Sequence, residues 1–416
     1  MSNEPAIRNL KPRAASVRVA PQHQAQPKPH HPKPKGAGLK GWLRVARYAW
    51  GTVLTVITVA VAAVFLAAAF SDHVSPQHYL YLSYLGIAFP VILTVAVVWL
   101  VLLVLMHRWL MMAGMLLSMA IGFEPITRFL PMHGGVEAVP DSVAPMPQLT
   151  LMTYNTCRMG QAHLADRGKA VPLVDFLKKS DADIICLQEY GFSLSSNGHT
   201  EQRIRKDLAS RYPYYNYLPY SGVQATGIAV FSRYPIREAR RIDRSKSYFA
   251  AMLYRLNVEG REVALINYHL HSNSIKPADR VFYDNMVEHF EADSIDRIHY
   301  NLVRQLGRAY LARTAQCEAI DSVRRTLDPE VPVLICGDMN DTPVSYCYHT
   351  IRGDFADSWM ERGYGPGITF YKHKLWFRID HIFHSRQLQP LDVEVLTKCR
   401  YSDHYPVIAT FRLSPS

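Results

Sequence analysis

Six short apolar runs between Leu149 and Phe411 each carry, at one end, a side chain able to bind a cation or move a proton. LTLMTYN ends on Asn155, ADIICLQE ends on Glu189, and the run through NYHL places His269 near its end. VPVLICGDMND ends with Asp338 and Asn340, RIDHIFHS carries Asp380, and YSDHYPVIATF carries Asp403 and His404. One acidic residue at the end of an apolar run is ordinary. Burying this many polar groups is costly unless they gather around a shared charge or a solvent site. Carboxylate and amide oxygens suit a hard cation such as Mg²⁺, which keeps waters and binds phosphate oxygens. No cysteine joins the set and its histidines lack zinc-type spacing, which argues against a closed zinc site. Taken singly, Asn155 reads as a strand-end cap and His269 as a satisfied core histidine. Asp341, in DTP, reads as a turn or helix cap, and His271 and His381 receive no role.

Alternation and length identify these runs as strands rather than helices. GIAVFSRYP, closed by Pro235, adds another, and YFAAMLYRLNVEGREVALINYHL reads as a hairpin turning near Glu259–Gly260. Helical patterns cover VPLVDFLKKSD and about residues 300–327. The expected arrangement is an α/β sandwich, two packed sheets with helices outside.

The ordered motifs YN (154–155), QE (188–189), NYHL (267–270), GDMND (337–341), RIDH (378–381) and SDH (402–404) resemble the endonuclease/exonuclease/phosphatase superfamily. That group includes DNase I-like nucleases, sphingomyelinases and inositol polyphosphate 5-phosphatases. Any one triplet is weak, but the ordered set is specific and runs through about 148–416. The resemblance implies a four-layered α/β sandwich that hydrolyses phosphate esters with Mg²⁺ or Mn²⁺. It implies Glu189 as the principal metal ligand, Asn155 in support of metal and phosphate, and Asp403 as a residue placed by the metal. Asp338 matches the carboxylate that orients or deprotonates the attacking water, and Asn340 the amide that steadies the phosphoryl oxygens. His404 matches the imidazole beside the scissile phosphate, Asp380 the carboxylate that orients it, and His269 a histidine that hydrogen-bonds the phosphate. These roles are physically coherent. A metal-bound phosphate repels an incoming water less, and a histidine held by a carboxylate keeps one tautomer.

The rest of the chain reads as an attachment. Residues 1–50 hold ten Lys/Arg against Glu4, a net charge of +9, and residues 51–150 carry −2. That leaves +4 of the chain's +11 for residues 151–416, so the basicity belongs to the tail and not to a nucleic-acid channel. Residues 1–41 read as a disordered basic tail, with His30–His31 part of it. Residues 42–130 read as a transmembrane anchor of two to three helices, drawn as Tyr48–Phe70, Tyr79–Met106 and a third from Trp109 that Glu124 and Arg128 shorten. The first run is too long for a cleavable signal core. Residues 131–147 read as a linker and 148–416 as the catalytic domain. The basic tail places the N-terminus in the cytoplasm. Three spans then put the catalytic domain outside it, and two put it inside. The compact anchor and the lack of eukaryotic sorting cues suggest a bacterial inner membrane with the catalytic domain on the extracytoplasmic side. All six cysteines lie in the catalytic region without a CxxC pair and read as free thiols, with one disulfide open to an oxidising compartment.

The expected function is a membrane-tethered, divalent-metal-dependent hydrolase of phosphate esters, a phosphodiesterase before a monoesterase. Its substrate is a phospholipid, a nucleic acid or a small phosphodiester, with the bilayer as partner and no obligate protein partner indicated. A tethered nuclease is the alternative, although +4 over 266 residues is an equivocal footprint for a phosphate backbone. An inactive binding module is the other, but none of Glu189, Asp338 and His404 is lost. A transporter would need an ionisable pair at the membrane midplane. The tyrosine-rich YPYYNYLPY (212–220) could stack on a base or sugar, or simply form a strand and turn. The acidic, aromatic stretch 274–300 could face substrate or solvent.

Overall fold

Strands with two apolar faces have to be covered on both sides, and the chain meets that demand with two stacked sheets. The computed structural model describes residues 38–132, 147–164, 171–223, 225–242, 250–273, 295–372 and 376–414. Outside these lie nearly all of the basic tail with His30–His31, most of the 131–147 linker, and the greater part of 274–300.

LTLMTYN and IICLQEYG form β1 (Gln148–Asn155) and β2 (Ile184–Gly191), a parallel pair. β3 (Tyr214–Pro219) and β4 (Thr226–Ser232) extend the sheet beyond β2, and β11 (Leu388–Val395) and β12 (Val407–Leu413) extend it beyond β1. The order is β11-β12-β1-β2-β4-β3. The second sheet repeats the plan around another parallel pair, β7 (Arg261–His269) and β8 (Val333–Asp338). β5 (Ile236–Arg241), β6 (Ala250–Val258), β9 (Ala356–Asp357) and β10 (Asp380–His384) complete the order β5-β6-β7-β8-β10-β9. The β6–β7 hairpin turns where expected. Glu259 and Gly260 have φ of 51° and 90°, the left-handed pair that a tight hairpin turn demands.

Leu149, Leu151, Ile184 and Val230 from one sheet meet Tyr254, Leu256, Leu265 and Leu334 from the other in a fully buried layer. The outer face of the first sheet is covered by α7 (Pro172–Lys179) and α8 (Glu201–Leu208) through Leu173, Leu177, Ile204 and Leu208. After β1 comes a kinked segment, α6 (Cys157–Leu164), whose first turn is left-handed from Cys157 to Gly160. The second sheet is covered by α9 (Ile295–Arg324) and α10 (Tyr346–Arg352) through Cys317, Ile320, Tyr348 and Ile351, and α11 (Ser358–Arg362) lies before β10. Helix, sheet, sheet, helix is the four-layered α/β sandwich expected from the sequence. All six cysteines are free, five of them buried and Cys157 half-buried.

The attachment is built of helices. α1 spans Gly38–Ala69. It begins beyond Pro34, the last proline of the tail, a residue type that a helix interior does not take. Residues 41–69 are long and apolar enough to cross a membrane. The run from Tyr79 to Met106 is not one helix but two, α2 (Leu80–Ile87) and α3 (Phe89–Leu105), bent by 65°. Pro90 causes the break: it fits the first turn of a new helix and not the interior of an old one. The third run is also broken by 65°, at Gly122, into α4 (Trp109–Ile121) and α5 (Phe123–Phe129). The described residues therefore hold one helix able to span, or three spans if each bent pair counts as one. Phe65, Ala68, Phe89, Ala96, Leu103 and Met115 form the buried cluster of this region.

Candidate active site at the shared edge of the sheets

Parallel strands end where their antiparallel neighbours begin. The C-terminal ends of β1, β2, β7 and β8 and the N-terminal ends of β10 and β12 therefore fall on one edge of the sandwich. Register makes this concrete: Asp338 pairs with His269 on one side and Asp380 on the other, and Asn155 pairs with Gln188. Gly337 makes the close approach possible. With φ of 148°, it lies where any added Cβ would collide with the Tyr268 carbonyl.

Asp338 is the hub. It is 1% exposed, and its Oδ2 accepts from Asn155 Nδ2 at 2.8 Å and Asn340 Nδ2 at 3.2 Å, while Oδ1 accepts from Asn340 N at 2.8 Å. His269 Nε2 and His404 Nε2 stand 3.5 and 3.8 Å from Oδ2. Burial alone would raise this carboxyl, but His404, His269 and the Asn155 amide outweigh it and hold it at about 2. His404 Nδ1 lies 2.8 Å from Asp380 Oδ2. Burial disfavours the imidazolium, yet the Asp380 and Asp338 carboxylates push its pKa up to about 10. Asp380 is raised by burial, with His404 pulling the other way. Asp380 Oδ1 and His269 Nε2 are buried without a hydrogen-bond partner, so these two residues keep polar valence unsatisfied.

Glu189 gets its direction from strain. The β2–β4 register slips between Leu187 and Tyr190, and Glu189 takes φ of 46°, which turns its carboxylate to the edge. Its Oε1 is 4.0 Å from His269 Nε2. Ser402 Oγ donates to Asn155 O at 2.7 Å and stands 3.2 Å from Asp403 Oδ1. The half-buried Cys157 lies near both carboxylates: burial first, then Asp403 and Glu189, push its thiol up to about 12. Asn155, Glu189 and Asp403 thus offer only oxygen, the latter two part-exposed, a donor set that fits a hard divalent cation. Among the described residues Asp338, Asp380 and His404 also bring one ligand atom each within 4.8 Å of one another. There His404 Nδ1 is already engaged by Asp380.

All eight residues singled out from the sequence thus lie at this edge. His381 points elsewhere, 3.6 Å from Asp357, and Asp341 caps its own turn through Thr342 N and pairs with the buried Arg313. The sequence reading missed Tyr220. Its hydroxyl is 2.6 Å from His269 Nδ1 and accepts from Glu189 N at 3.0 Å, tying the two sheets together beneath the site. Of the same tyrosine run, Tyr212 is buried in the core and the half-buried Tyr215 and Tyr217 pack against it. Gln188 and Asn267, buried between the sheets and joined at 2.8 Å, were missed too.

The sign of the His404 shift gives a stability test. A pKa raised from 6.5 to about 10 contributes stability that is complete below pH 6.5 and lost as pH rises through 10. EDTA-treated protein should therefore lose unfolding temperature between those limits. His404→Ala should flatten that slope, and an unchanged slope would refute the assignment.

A family model described as the endonuclease/exonuclease/phosphatase family matches residues 152–404, and one for a domain of unknown function matches residues 51–129. No curated protein matches the chain. Among solved structures, an endonuclease/exonuclease/phosphatase from Beutenbergia cavernae is similar at 19% identity and a TM-score of 0.44, covering 64% of this chain and 72% of that one. Sphingomyelinase C from Streptomyces griseocarneus is similar at 18% and 0.44, covering 64% and 99%. The human nocturnin catalytic domain with bound sulfate is similar at 16% and 0.43, covering 64% and 94%. Likeness at this level says nothing of substrate.

Proposed function

Because the chain belongs to the endonuclease/exonuclease/phosphatase family, whose members hydrolyse phosphate esters and typically depend on a divalent metal, we propose that it is a membrane-tethered, Mg²⁺- or Mn²⁺-dependent phosphodiesterase. The observation that carries this reading is the convergence of eight chemically competent residues from six strands on one edge, with Asp338 joined to most of them.

Glu189, Asn155 and Asp403 would hold the cation, which when bound supplies charge neutralisation of the phosphate. Asp338, deprotonated at neutral pH by its neighbours, would accept a hydrogen bond from the attacking water and fix its direction. His269 would donate to a phosphoryl oxygen, and Asn340, whose side-chain amide donates to Asp338 Oδ2 and the Leu270 carbonyl, would steady the phosphoryl oxygens by holding Asp338 in place. His404, protonated and held by Asp380, would face the charge that develops on the ester. The apolar helix at 41–69 supports the tether, and the basic tail supports a cytoplasmic N-terminus with the hydrolase outside. A tether favours a lipid or another phosphodiester at the membrane surface over free nucleic acid.

The test is turnover by the full chain with Mg²⁺ and then EDTA, on bis-p-nitrophenyl phosphate, sphingomyelin, inositol phosphates, DNA and RNA. Chelation should abolish activity. Glu189→Gln should raise the Mg²⁺ concentration for half-maximal rate by at least about tenfold, as loss of a charged ligand does. Turnover that survives EDTA would defeat the reading. Silence across the panel would promote a binding module.

A further inference from the structure

The region from Ser71 to Met132 reaches the back of the site at several places. Val344, six residues beyond Asp338, is buried in the apolar cluster of Phe65, Phe89 and Leu103. Its carbonyl lies so close to Gly86 that a Cβ there would fall 2.5 Å from it and 2.7 Å from Ser71 Oγ. The neighbouring Pro343 carbonyl accepts from Arg128 Nη1 at 3.3 Å. Arg128 is 1% exposed, and the same nitrogen is 2.6 Å from the fully buried Asp72. The carbonyl of Arg128 in turn accepts from Arg378, two residues before Asp380. Further along, Met132 bridges to Tyr364 and Pro131 O accepts from Gly365 N at 2.8 Å. The segment those contacts fix runs on to Phe370, whose ring meets the His404 ring at 5.1 Å between centroids.

A buried ion pair adds little net stability, because desolvating two charges offsets most of their attraction. What the Asp72–Arg128 pair does is geometric. One guanidinium, fixed by one carboxylate, touches the loop that follows Asp338, and the same residue's backbone receives the side chain that precedes Asp380. We propose that Arg128 is a positioning residue of the hydrolytic site, holding from outside the sandwich the loop that follows Asp338 and the residues that lead into Asp380. The attachment is then part of the active-site architecture. The inference rests on the assignment of Asp338 and Asp380 made above.

The test uses the full chain in nanodiscs, with bis-p-nitrophenyl phosphate and Mg²⁺. Arg128→Lys keeps a charge beside Asp72, but its ammonium ends one bond short of the Nη1 position from which both Asp72 and Pro343 are reached. It should lower kcat by roughly tenfold to a hundredfold, the scale of a misplacement near 1 Å, with KM within about threefold. Gly86→Ala, which wedges against Val344 without touching a charge, should act in the same direction. In both, amide hydrogen exchange over 339–345 and 379–382 should quicken while β11 and β12 stay unchanged. A purely structural role would lower the unfolding temperature and leave kcat of the folded protein and local exchange as they were, and that result overturns the proposal. Should the wild type show no turnover, the hydrolase reading falls by itself. Exchange then decides this one: unaltered exchange in both variants rejects it, and quickened exchange confined to those segments upholds the coupling.

Discussion

Asp338→Asn is expected to lower kcat by about a thousandfold, with the protein folded and KM little changed. The substitution is nearly isosteric, so its effect isolates charge and acceptor capacity. Oδ1 must accept from Asn340 N, which forces the new amide NH₂ into the Oδ2 position. There it faces the Asn155 and Asn340 amides, two donors that previously met an acceptor. The position also loses the negative charge that His404 and His269 share, so His404 gives up its proton at lower pH. A water can no longer be directed by an anion at this point. Steady-state kinetics beside circular dichroism checks the expectation. A folded variant within tenfold of wild type would reduce Asp338 to a structural hub.

What sequence could and could not show follows from the range of each interaction. The strand-end residues were legible because a polar side chain closing an apolar run is a local signal, and because motif order survives when the intervening loops do not. The hairpin at Glu259–Gly260 was legible for the same reason. Tyr220 was not, since its meaning depends on His269, 49 residues away, and the four other tyrosines of its run obey only core or edge packing. Gln188 and Asn267 were hidden by their surroundings, since a polar residue inside an apolar strand reveals no partner across the other sheet. Arg128 misled in a more instructive way. In sequence it shortened a candidate span, and in the structure it is among the most buried charges of the chain, matched by Asp72 across 56 residues. Periodicity reports which face of an element is apolar. It does not report what lies against that face.

The same distinction governs the second large effect. His404→Ala is expected to cost about a thousandfold in kcat, and Asp380→Asn about tenfold to a hundredfold. Asp380 reaches the reacting atoms only through the imidazole. It is held for that purpose: its backbone N–H and that of Ile379 both donate to Thr369 Oγ1, and its Oδ2 meets His404 Nδ1. An asparagine there either donates to Nδ1 and imposes the wrong tautomer, or accepts weakly and leaves the imidazolium short of its main counter-charge. In either case the alkaline limb of the kcat profile should move to lower pH, because Asp380 is the leading cause of the raised His404 pKa. The double variant should then be no slower than His404→Ala alone, since groups acting as a unit are not additive. If the two losses multiply instead, Asp380 acts on substrate or cation directly. The cluster of Asp338, Asp380 and His404 would then have to be read as ligands rather than as a proton-holding pair beside a hub.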